Sequence, residues 1–477
     1  MSGKPSSRRR AATQAVSGAG ARRLLDQGAC IAYLERTHNL VRVRSEVDPR
    51  HELGGIARRF EGGKCVLFER VKGSAYPVFT GLLWNRDIVG ALFGVPATQV
   101  PFLIAGAIEP WQKDKAALPA RVLRRAPANE VVEPRVDLSR LPIPVHALKD
   151  GGRYLDSSVV LVRNPQTGGL NSSIHRMMVT GKDRISFLID PGRHLGEHVE
   201  FAQKRGQPLS VTINNGVGLA PWIVSTLPRL GDGKPGIAHH LIGRSVDLVQ
   251  PQTGDVPGYA DAQFVIEAEI LPGVREDEGP FAEVTGYYAG RDKRWVMKVN
   301  AITRREAPVL HTVLSGREVG NAVGFTAEAA IHHAVKTRIP QVRAVHLPPG
   351  GCGFYQAVVQ VENTRPGLGP EVIDATFRAF GSLQRVVVVD TDVDIFDAVD
   401  VDWAITTRFN ADTDLVLLRG AEGHILNPIV TVDADGKGGK VTKVGIDAMV
   451  PYDRQDGTFV RVKFKQVDLK DYDITMP

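Results

Sequence analysis

The chain has 477 residues, 43% apolar and 23% charged, which is ordinary for a soluble globular protein of two to four domains. Its net charge of +6 suggests nucleic-acid binding at first sight, but six of the 59 basic residues precede the first acidic residue, Asp26. The rest of the chain is balanced in charge, so we predict no nucleic-acid partner. The longest apolar run, 102–108, is too short to cross a bilayer, so we predict no membrane partner.

The first 25 residues are predicted to be a flexible basic tail. They are rich in Arg and small residues and lack the apolar core of a secretory signal, although the same composition also fits a transit peptide. The three cysteines, Cys30, Cys65 and Cys352, are widely spaced and form no CxxC pair. This pattern indicates a reducing compartment, and we predict a cytoplasmic protein.

Residues 26–325 are predicted to form a β-rich domain. Apolar residues at helical spacing predict helices near 51–61 and 194–205, each followed by glycine. Strict alternation of apolar and polar residues predicts strands at 263–270 and 295–302. Six prolines between 109 and 150 predict an extended connection there.

Residues 326–425 are predicted to form an α/β domain. Thr326 is a suitable N-cap for a linking helix, and strands then alternate with helices up to "DLVLLRG". Residues 426–477 are predicted to be a C-terminal extension. The fold class is therefore α+β.

The segment "EDEGPFAEVTGYY" places Glu278 and Glu283 five residues apart around Gly279-Pro280. An offset of five shares a face of neither a helix nor a strand, so the two carboxylates can converge only if a loop aims them. Most acidic loop residues are simply solvated, and that alternative stays open on this segment alone.

A second segment, "LNSSIHRMMV", places Asn171, Ser173 and Arg176 among apolar residues on a predicted strand. A buried Arg needs an anionic partner, so Arg176 and the glutamate pair are natural complements. A purely structural salt bridge would explain the pattern equally well.

The segment "HLGEH" matches the H-x-x-E-H signature of a zinc peptidase. On a helix His194 and His198 would share a face, with Glu276 or Glu278 as a candidate third ligand. The pattern is short, and Gly196 weakens the helix.

Seven ordered segments together resemble the UbiD-like decarboxylases, which depend on prenylated flavin mononucleotide (prFMN). They are "LPIPVHALKDGGRY", "NSSIHR", "PGRHLGEH", "EGPFAEVTGYY", "HLPPGGCGFYQAVV", "VDWAITTRF" and "GGKVTKVGIDA". The resemblance runs from about residue 30 to 470 and implies a split-barrel-like flavin-binding domain followed by an α/β oligomerisation domain.

The resemblance also implies the site residues. The catalytic network would be Arg176, Glu278 and Glu283, and the metal ligands would be Asn171, His194 and Asp247. The family has Glu where this chain has Asp247, one methylene shorter. The implied ions are Mn²⁺ (or Mg²⁺) and K⁺. The full implied flavin-binding set is Asn171, Ser173, Ile174, His175, Arg176, Arg193, His194, Ser225 and Asp247.

The implied activity is reversible, non-oxidative decarboxylation of an aromatic or heteroaromatic carboxylic acid. Arg176 would orient the carboxylate and Glu283 would deliver the proton, with Glu278 between them. We expect a pocket wall that includes His175, Met177 and Thr285. The expected partners are a flavin prenyltransferase as cofactor supplier and a second copy of the chain in a homodimer or larger oligomer. The alternatives are a decarboxylase of a cinnamate-type α,β-unsaturated acid, a zinc peptidase, and a non-catalytic flavin-binding paralogue.

Overall fold

The computed structural model describes residues 18–114, 120–189, 194–227, 230–433, 438–454 and 456–469. Within these residues the chain combines a nine-stranded, a six-stranded and a four-stranded sheet with helices, which confirms the predicted α+β class. The α-helices are Ala19–Leu25, Gln27–Arg36, Glu52–Arg58, Arg86–Phe93, Val100–Lys113, His194–Gln203, Leu219–Ser225, Pro235–Ile242, Arg317–Arg338, Leu368–Ala379 and Ala398–Arg408.

The nine-stranded sheet is antiparallel and carries most of the predicted β-rich region. At its centre the two strands predicted by alternation pair with each other, Ile266 opposite Ile302 and Ile270 opposite Met297. These four side chains are buried in one apolar cluster. Ile266, Ile270 and Met297 belong to the predicted alternation, whereas Ile302 is out of phase with Met297 because the pairing register shifts between Glu267 and Ala268. In spatial order the strands are Arg153–Leu155, Met177–Val179, Arg184–Phe187, Asp292–Arg304, Phe264–Glu278, Leu209–Asn215, Val159–Arg163 and Leu170–Ile174, with Val131–Val132 paired to Asp292–Arg304.

The amino-terminal part packs a small sheet against helices. Its strands are Leu40–Val47, Cys65–Val71, Val78–Thr80 and Leu310–His311. The predicted flexible tail ends earlier than expected, because Ala19–Leu25 is a helix whose Leu24 and Leu25 are buried in the core. Two adjacent leucines are too short a pattern to reveal a helical face. The rest of the predicted tail, 1–17, lies outside the described residues.

A long helix, Arg317–Arg338, follows the strand Leu310–His311 of the four-stranded sheet and leads to the six-stranded sheet. It begins nine residues before Thr326, so the predicted N-cap is wrong. The Thr326 hydroxyl instead donates to the carbonyl of Val323 at 3.0 Å, which is a bond that Thr can make inside a helix. The two turns of helix before Thr326 contain Gly320 and Gly324. Glycine has a low helix propensity, so the sequence does not predict a helix there.

The six-stranded sheet includes a strand that the sequence assigned to the C-terminal extension. Gly439–Asp447 lies between Arg385–Asp390, to which it is parallel, and Leu415–Glu422, to which it is antiparallel. The predicted extension is therefore wrong for these nine residues and for Thr431–Val432, which pairs with them. The remaining strands are Val342–His346, Gln356–Val361 and Thr431–Val432. The exact domain boundaries at 325 and 425 stay predictions.

The shortest paired strands form two further sheets, Val122–Leu123 with Leu248–Val249 and Gly258–Tyr259, and Phe281–Ala282 with Tyr288–Ala289.

No single described helix is both long and apolar enough to span a membrane. The helices Arg86–Phe93 and Ala97–Lys113 reach that length and composition only as a pair, bent by 71°.

A buried glutamate, Glu318, lies in the first turn of the long helix. Glu318 is fully buried, and its carboxyl accepts hydrogen bonds from the backbone N–H groups of Leu314 at 3.0 Å and Leu83 at 3.3 Å. Burial is the main cause that raises the pKa of Glu318 to about 8. The folded protein therefore holds a proton on this group at neutral pH.

We expect stability to fall as the pH rises through the window from about 4.5 to 8, because the folded state binds the Glu318 proton more tightly than the unfolded chain. This one group contributes a slope of up to about 1.4 kcal/mol per pH unit. Thermal unfolding of the wild type and Glu318→Gln, followed between pH 6 and 8, should show a flatter profile for the variant. Parallel profiles would contradict the prediction.

Candidate active site

Arg176 lies just after the edge strand Leu170–Ile174 of the nine-stranded sheet. Side chains on a strand point alternately to its two faces, so Asn171 and Ser173 share one face. Both line the same cavity as Arg176. The strand therefore carries polar groups to the cavity, and the bend at its end adds a guanidinium.

The acidic segment is a loop, as its spacing predicts. Glu278 is the last residue of the strand Phe264–Glu278, and Glu283 directly follows the short strand Phe281–Ala282. Gly279 between them has φ +94°, and a Cβ there would lie 2.4 Å from the carbonyl oxygen of Gly290. Only glycine fits this backbone, which turns the chain so that both acids approach Arg176.

The two carboxylates hold opposite ends of one guanidinium. Nη2 of Arg176 donates to Oε2 of Glu278 at 2.8 Å, and Nη1 donates to Oε1 of Glu283. The other oxygen of Glu278 accepts a hydrogen bond from the hydroxyl of Tyr154 at 3.0 Å, and that hydroxyl accepts one from the N–H of Gly279 at 3.1 Å. The predicted Arg–Glu–Glu set is thus brought together, and Tyr154 extends it.

The network is buried, and its three charged side chains differ in their exposure to solvent. Glu278 is fully buried, whereas the side chains of Arg176 and Glu283 are 9% and 11% exposed. Burial acts to lower the pKa of Arg176, but the carboxylates of Glu283 and Glu278 outweigh it and the net shift is upward. Burial, followed by the negative charge of Glu278, raises the pKa of the Tyr154 hydroxyl well above its usual range. Arg176 and Tyr154 therefore stay protonated.

One donor of the guanidinium is left over. Nε of Arg176 is buried and has no hydrogen-bond partner among the described residues. The ring of Phe281 lies 5.3 Å from the guanidinium carbon and 4.4 Å from the ring of Tyr154, measured to ring centroids. A guanidinium can bind a carboxylate bidentately, and Arg176 keeps one N–H donor that no described residue uses.

Arg176 and Glu283 open onto a cavity of about 220 Å³. Glu278 is not on its surface and reaches it only through Arg176. Most of the other residues predicted to bind the flavin also line this cavity: Asn171, Ser173, Ile174, His175, His194 and Ser225. The ring of His175 is held by Ser173 Oγ, 2.9 Å from its Nε2, and by the carbonyl of Leu188, 3.2 Å from its Nδ1.

Several predicted residues are placed elsewhere. Asp247 is not among the residues that line the cavity, and both its oxygens accept bonds from Arg121, at 2.9 and 2.6 Å. Of the expected pocket wall, His175 lines the cavity, whereas Met177 belongs to the apolar core and Thr285 is not among the lining residues. Arg193 lies outside the described residues.

The zinc-peptidase alternative gains no support from the geometry. His194 lines the cavity, but His198 is buried with its Nε2 3.7 Å from Oδ1 of Asp232, and burial lowers the pKa of His198. Glu276 accepts from the hydroxyl of Thr180 at 2.6 Å and pairs with Arg184. Among the described residues no group of three or more His, Cys, Asp or Glu is placed to hold a metal ion.

The sequence reasoning missed two sets of lining residues. Trp222 and the buried Lys234 join the polar side of the cavity from two short helices. A further part of the wall comes from beyond residue 312 and is largely apolar. It consists of Val313, Ser315, Val319, Ala322, Val323, Phe354, His424 and Leu426. Nothing in the local sequence of these residues indicates a pocket, because distant segments form it only on folding.

The acid loop itself packs against the part of the chain with the six-stranded sheet. Val284, next to Glu283, forms a buried apolar cluster with Phe354 and Tyr355. The position of Glu283 therefore depends on contacts made across the cavity.

Comparison with known proteins places this site in a family. Models of the N-terminal, Rift-related and C-terminal domains of 3-octaprenyl-4-hydroxybenzoate carboxy-lyase match residues 31–108, 121–318 and 321–448. The chain belongs to the UbiD family of decarboxylases, which confirms the resemblance seen in the sequence.

Relatives match over most of their length. The chain is 46% identical to the uncharacterized protein in the cooM 5' region of Rhodospirillum rubrum, over 94% of the chain and 96% of that protein. It is 35% identical to anhydromevalonate phosphate decarboxylase of Methanosarcina mazei, over 88% and 94%. It is 31% identical to gallate decarboxylase of Lactiplantibacillus plantarum, over 88% and 93%.

Solved structures agree with the fold. The UbiD-class enzyme HmfF from Pelotomaculum thermopropionicum in complex with FMN is 37% identical, with a TM-score of 0.87 over 94% of this chain and 100% of that one. An evolved dimeric form of the same enzyme in complex with prFMN is 36% identical, with a TM-score of 0.83 over 94% and 99%. The protein is therefore a carboxy-lyase of the flavin-dependent UbiD class.

Proposed function

We propose that the protein catalyses the reversible, non-oxidative decarboxylation of an aromatic or heteroaromatic carboxylic acid with prFMN as cofactor. The observation that supports this most directly is the buried Arg176–Glu278–Glu283 network opening onto a cavity. The structural relatives bind FMN and prFMN, and gallate decarboxylase is named for an aromatic acid.

The cavity fits a flavin nucleotide in the type and placement of its polar groups. The amide of Asn171, the hydroxyls of Ser173 and Ser225, the ring of His194 and the ammonium of Lys234 all line it. The amide, hydroxyl and ammonium groups are donors of the kind that bind phosphate and ribityl oxygens. We propose that these five side chains would hold the cofactor in the cavity onto which Arg176 and Glu283 open.

The proposed metal site is less complete. Asn171 and His194 line the cavity and suit Mn²⁺ or Mg²⁺, but Asp247 is bound to Arg121 and does not fit as the third ligand in this arrangement. K⁺ is proposed only from the family. No step of the reaction below depends on either ion.

The prFMN group, when bound, supplies the electron sink that loss of CO₂ from an sp² carbon requires. Arg176 orients the substrate carboxylate through Nη1, for which the substrate competes with Glu283. A carboxyl group that loses its cationic partner holds a proton more readily. Glu283 is then a protonated acid beside the reacting carbon.

The balance of the reaction is simple. The bond between the ring carbon and the carboxylate breaks, CO₂ leaves, and the electron pair remains with the carbon side. Glu283 delivers its proton to that carbon and is reprotonated from solvent. In the reverse direction Glu283 removes the same proton as a base. Glu278, which stays on Nη2, keeps the guanidinium in place throughout.

Tyr154→Phe should slow turnover by about ten-fold or more, because a hydrogen bond to a buried charged group is lost. Oε1 of Glu278 and the N–H of Gly279 both lose their partner. Flavin content should stay unchanged, since Tyr154 does not line the cavity. The measurement is the rate at which deuterium from the solvent exchanges into the aromatic ring of the substrate. The flavin absorbance of the same sample is the control for cofactor content. An unchanged rate would contradict the role given to Tyr154.

The test of the proposed function is direct. The chain is co-expressed with a flavin prenyltransferase, the proposed cofactor supplier, and the released cofactor is identified by mass spectrometry with metal analysis of the same sample. The loaded protein is then assayed for deuterium exchange into benzoate, hydroxybenzoates, furan-2-carboxylate and cinnamate. Exchange into cinnamate alone would favour an α,β-unsaturated substrate. Zinc without flavin, or flavin without exchange into any acid, would overturn the proposal.

We also propose a homo-oligomer. Leu415–Glu422 is an edge strand of the six-stranded sheet, and Leu415 and Leu417 are 38% and 40% exposed on it. Apolar side chains on an open edge favour pairing with another chain.

A further inference from the structure

Asp156 is a second carboxylate in the lining of the cavity, and the proposed reaction does not use it. The acidic side chains in the described lining are Asp156 and Glu283, and Glu283 accepts a hydrogen bond from Arg176. Asp156 directly follows the strand Arg153–Leu155, which also carries Tyr154 of the charged network. The side chain of Asp156 is 3% exposed. A buried carboxylate needs hydrogen-bond donors in place of water, so its partners determine what else it can bind.

The protein partners of Asp156 mainly occupy one of its two oxygens. Oδ1 accepts hydrogen bonds from the hydroxyl of Thr312 at 2.8 Å and from the N–H of Val313 at 3.1 Å. Oδ2 lies 3.0 Å from the same Thr312 hydroxyl, which has a single proton to donate, and 3.3 Å from Nε2 of His146. That nitrogen is nearer to the Thr312 hydroxyl, at 2.7 Å. Because a carboxylate has about four acceptor sites, Oδ2 keeps the capacity to accept a further hydrogen bond.

The carboxylate of Asp156 also differs from Glu278 and Glu283 in having no guanidinium partner. Within the described part of the chain, His146 is the one basic side chain that lies within 4.0 Å of it. An ionised acceptor makes stronger hydrogen bonds than a neutral one. Asp156 is therefore suited to accept a hydrogen bond from a neutral N–H of a ligand in the cavity.

The proposed cofactor has one such group. An oxidised flavin ring carries a single N–H, at N3, and its other polar edge atoms are acceptors, so hydrogen bonds to the ring tune its binding and electronics. Hydroxyl, amide and ammonium groups of the lining can donate to those acceptors. The N3–H needs an acceptor, and Asp156 is the lining carboxylate that does not hold Arg176.

We infer that Oδ2 of Asp156 accepts a hydrogen bond from the N3–H of the flavin ring. This inference rests on the proposed function, which supplies the flavin. Thr312 and Val313 hold the carboxylate in place through Oδ1, and Asp156 takes no part in the proton transfer. The cavity thereby selects a flavin that carries a proton at N3.

The test compares FMN with 3-methyl-FMN, in which a methyl group replaces the N3 proton. The full-length wild type, prepared without the prenyltransferase and freed of flavin, is equilibrated with each flavin. Unbound flavin is then measured by its absorbance after ultrafiltration, which gives Kd without turnover. The wild type should bind FMN about ten-fold or more tightly than 3-methyl-FMN, because methylation removes a hydrogen bond to a charged group.

Asp156→Asn separates this hydrogen bond from the folding of the site. Its amide oxygen can accept from Thr312 and Val313 as Oδ1 does, and this orientation puts the amide NH₂ in the place of Oδ2. An NH₂ group cannot accept the N3–H, so the Kd for FMN should rise by about ten-fold or more. The Kd for 3-methyl-FMN should change little. Asp156→Ala, which has no side-chain oxygen, should lose the same preference.

Asp277→Asn is the matched control. Asp277 is 52% exposed, pairs with Lys293 at 2.9 Å and does not line the cavity. The same chemical exchange at this position should leave the Kd values for both flavins as in the wild type.

Equal affinity of the wild type for FMN and 3-methyl-FMN would overturn the inference. Equal weakening of both flavins in Asp156→Asn would show a structural role and overturn it as well. The proposed function is judged separately, by deuterium exchange in wild type loaded with prFMN. Selective binding of FMN without exchange would refute the decarboxylation and leave the role of Asp156 intact, whereas a wild type that binds neither flavin would overturn both.

Discussion

Glu283→Gln is expected to abolish decarboxylation and deuterium exchange while leaving the flavin bound. The side chain keeps its size and can still accept a hydrogen bond from Arg176, but an amide cannot deliver a proton to carbon. General acid catalysis of this kind contributes about 10²- to 10⁴-fold, so turnover should fall at least into that range. The flavin should remain, because the groups proposed to bind it lie elsewhere in the cavity.

The matched control for this variant is Glu276→Gln. Glu276 lies on the strand Phe264–Glu278, which ends at the other acid of the network, but its carboxylate is bound by Arg184 and Thr180 and does not line the cavity. It should exchange deuterium at the wild-type rate. If Glu283→Gln also exchanges at that rate, another group delivers the proton and the assignment fails.

Arg176→Lys is expected to have the second largest effect. We expect kcat/KM to fall by about 10²-fold or more while the protein keeps its fold. A Lys ammonium keeps the positive charge that the fully buried Glu278 requires, so the protein should still fold. It cannot serve Glu278, Glu283 and a substrate carboxylate in the planar geometry of a guanidinium. Steady-state kinetics and thermal unfolding of the same preparation separate the two effects.

Arg184→Lys is the natural comparison. Arg184 lies on a neighbouring strand and pairs with Glu276, but its side chain is 44% exposed. A salt bridge that water reaches contributes little, so this change should leave both kinetics and unfolding close to those of the wild type. Equal kinetics for Arg176→Lys and wild type would remove Arg176 from the reaction.

The secondary structure was predictable where a single periodicity runs without interruption. The paired strands around Ile266 and Met297 alternate strictly, and the helix His194–Gln203 shows a clear apolar face. The start of the long helix was missed because Gly320 and Gly324 lower the helix propensity there, and because Thr326 is a residue type that often caps a helix. The strand Gly439–Asp447 was missed because its place between two earlier strands depends on sheet pairing, which a local pattern does not contain.

The candidate site was predictable to the extent that its residues sit in short motifs. Glu278 and Glu283 are 102 and 107 residues from Arg176 in the chain, yet their complementary charges suggested the pairing that the structure contains. Tyr154 and His424 belong to no charge pattern, and only the packing of distant segments brings them to the network and the cavity.

Two parts of the chain contribute to the cavity and its charged network. The guanidinium, both acids and the proposed flavin ligands come from the part of the chain before residue 285, whereas the wall of Val319, Val323, Phe354, His424 and Leu426 comes from the part after it. Under the proposed function, the groups that break the bond and the wall that contacts the acid are encoded in separate stretches of the gene. Recombination after the acid loop between two members of the family should exchange the acids they accept while the bond-breaking machinery passes unchanged from parent to chimera.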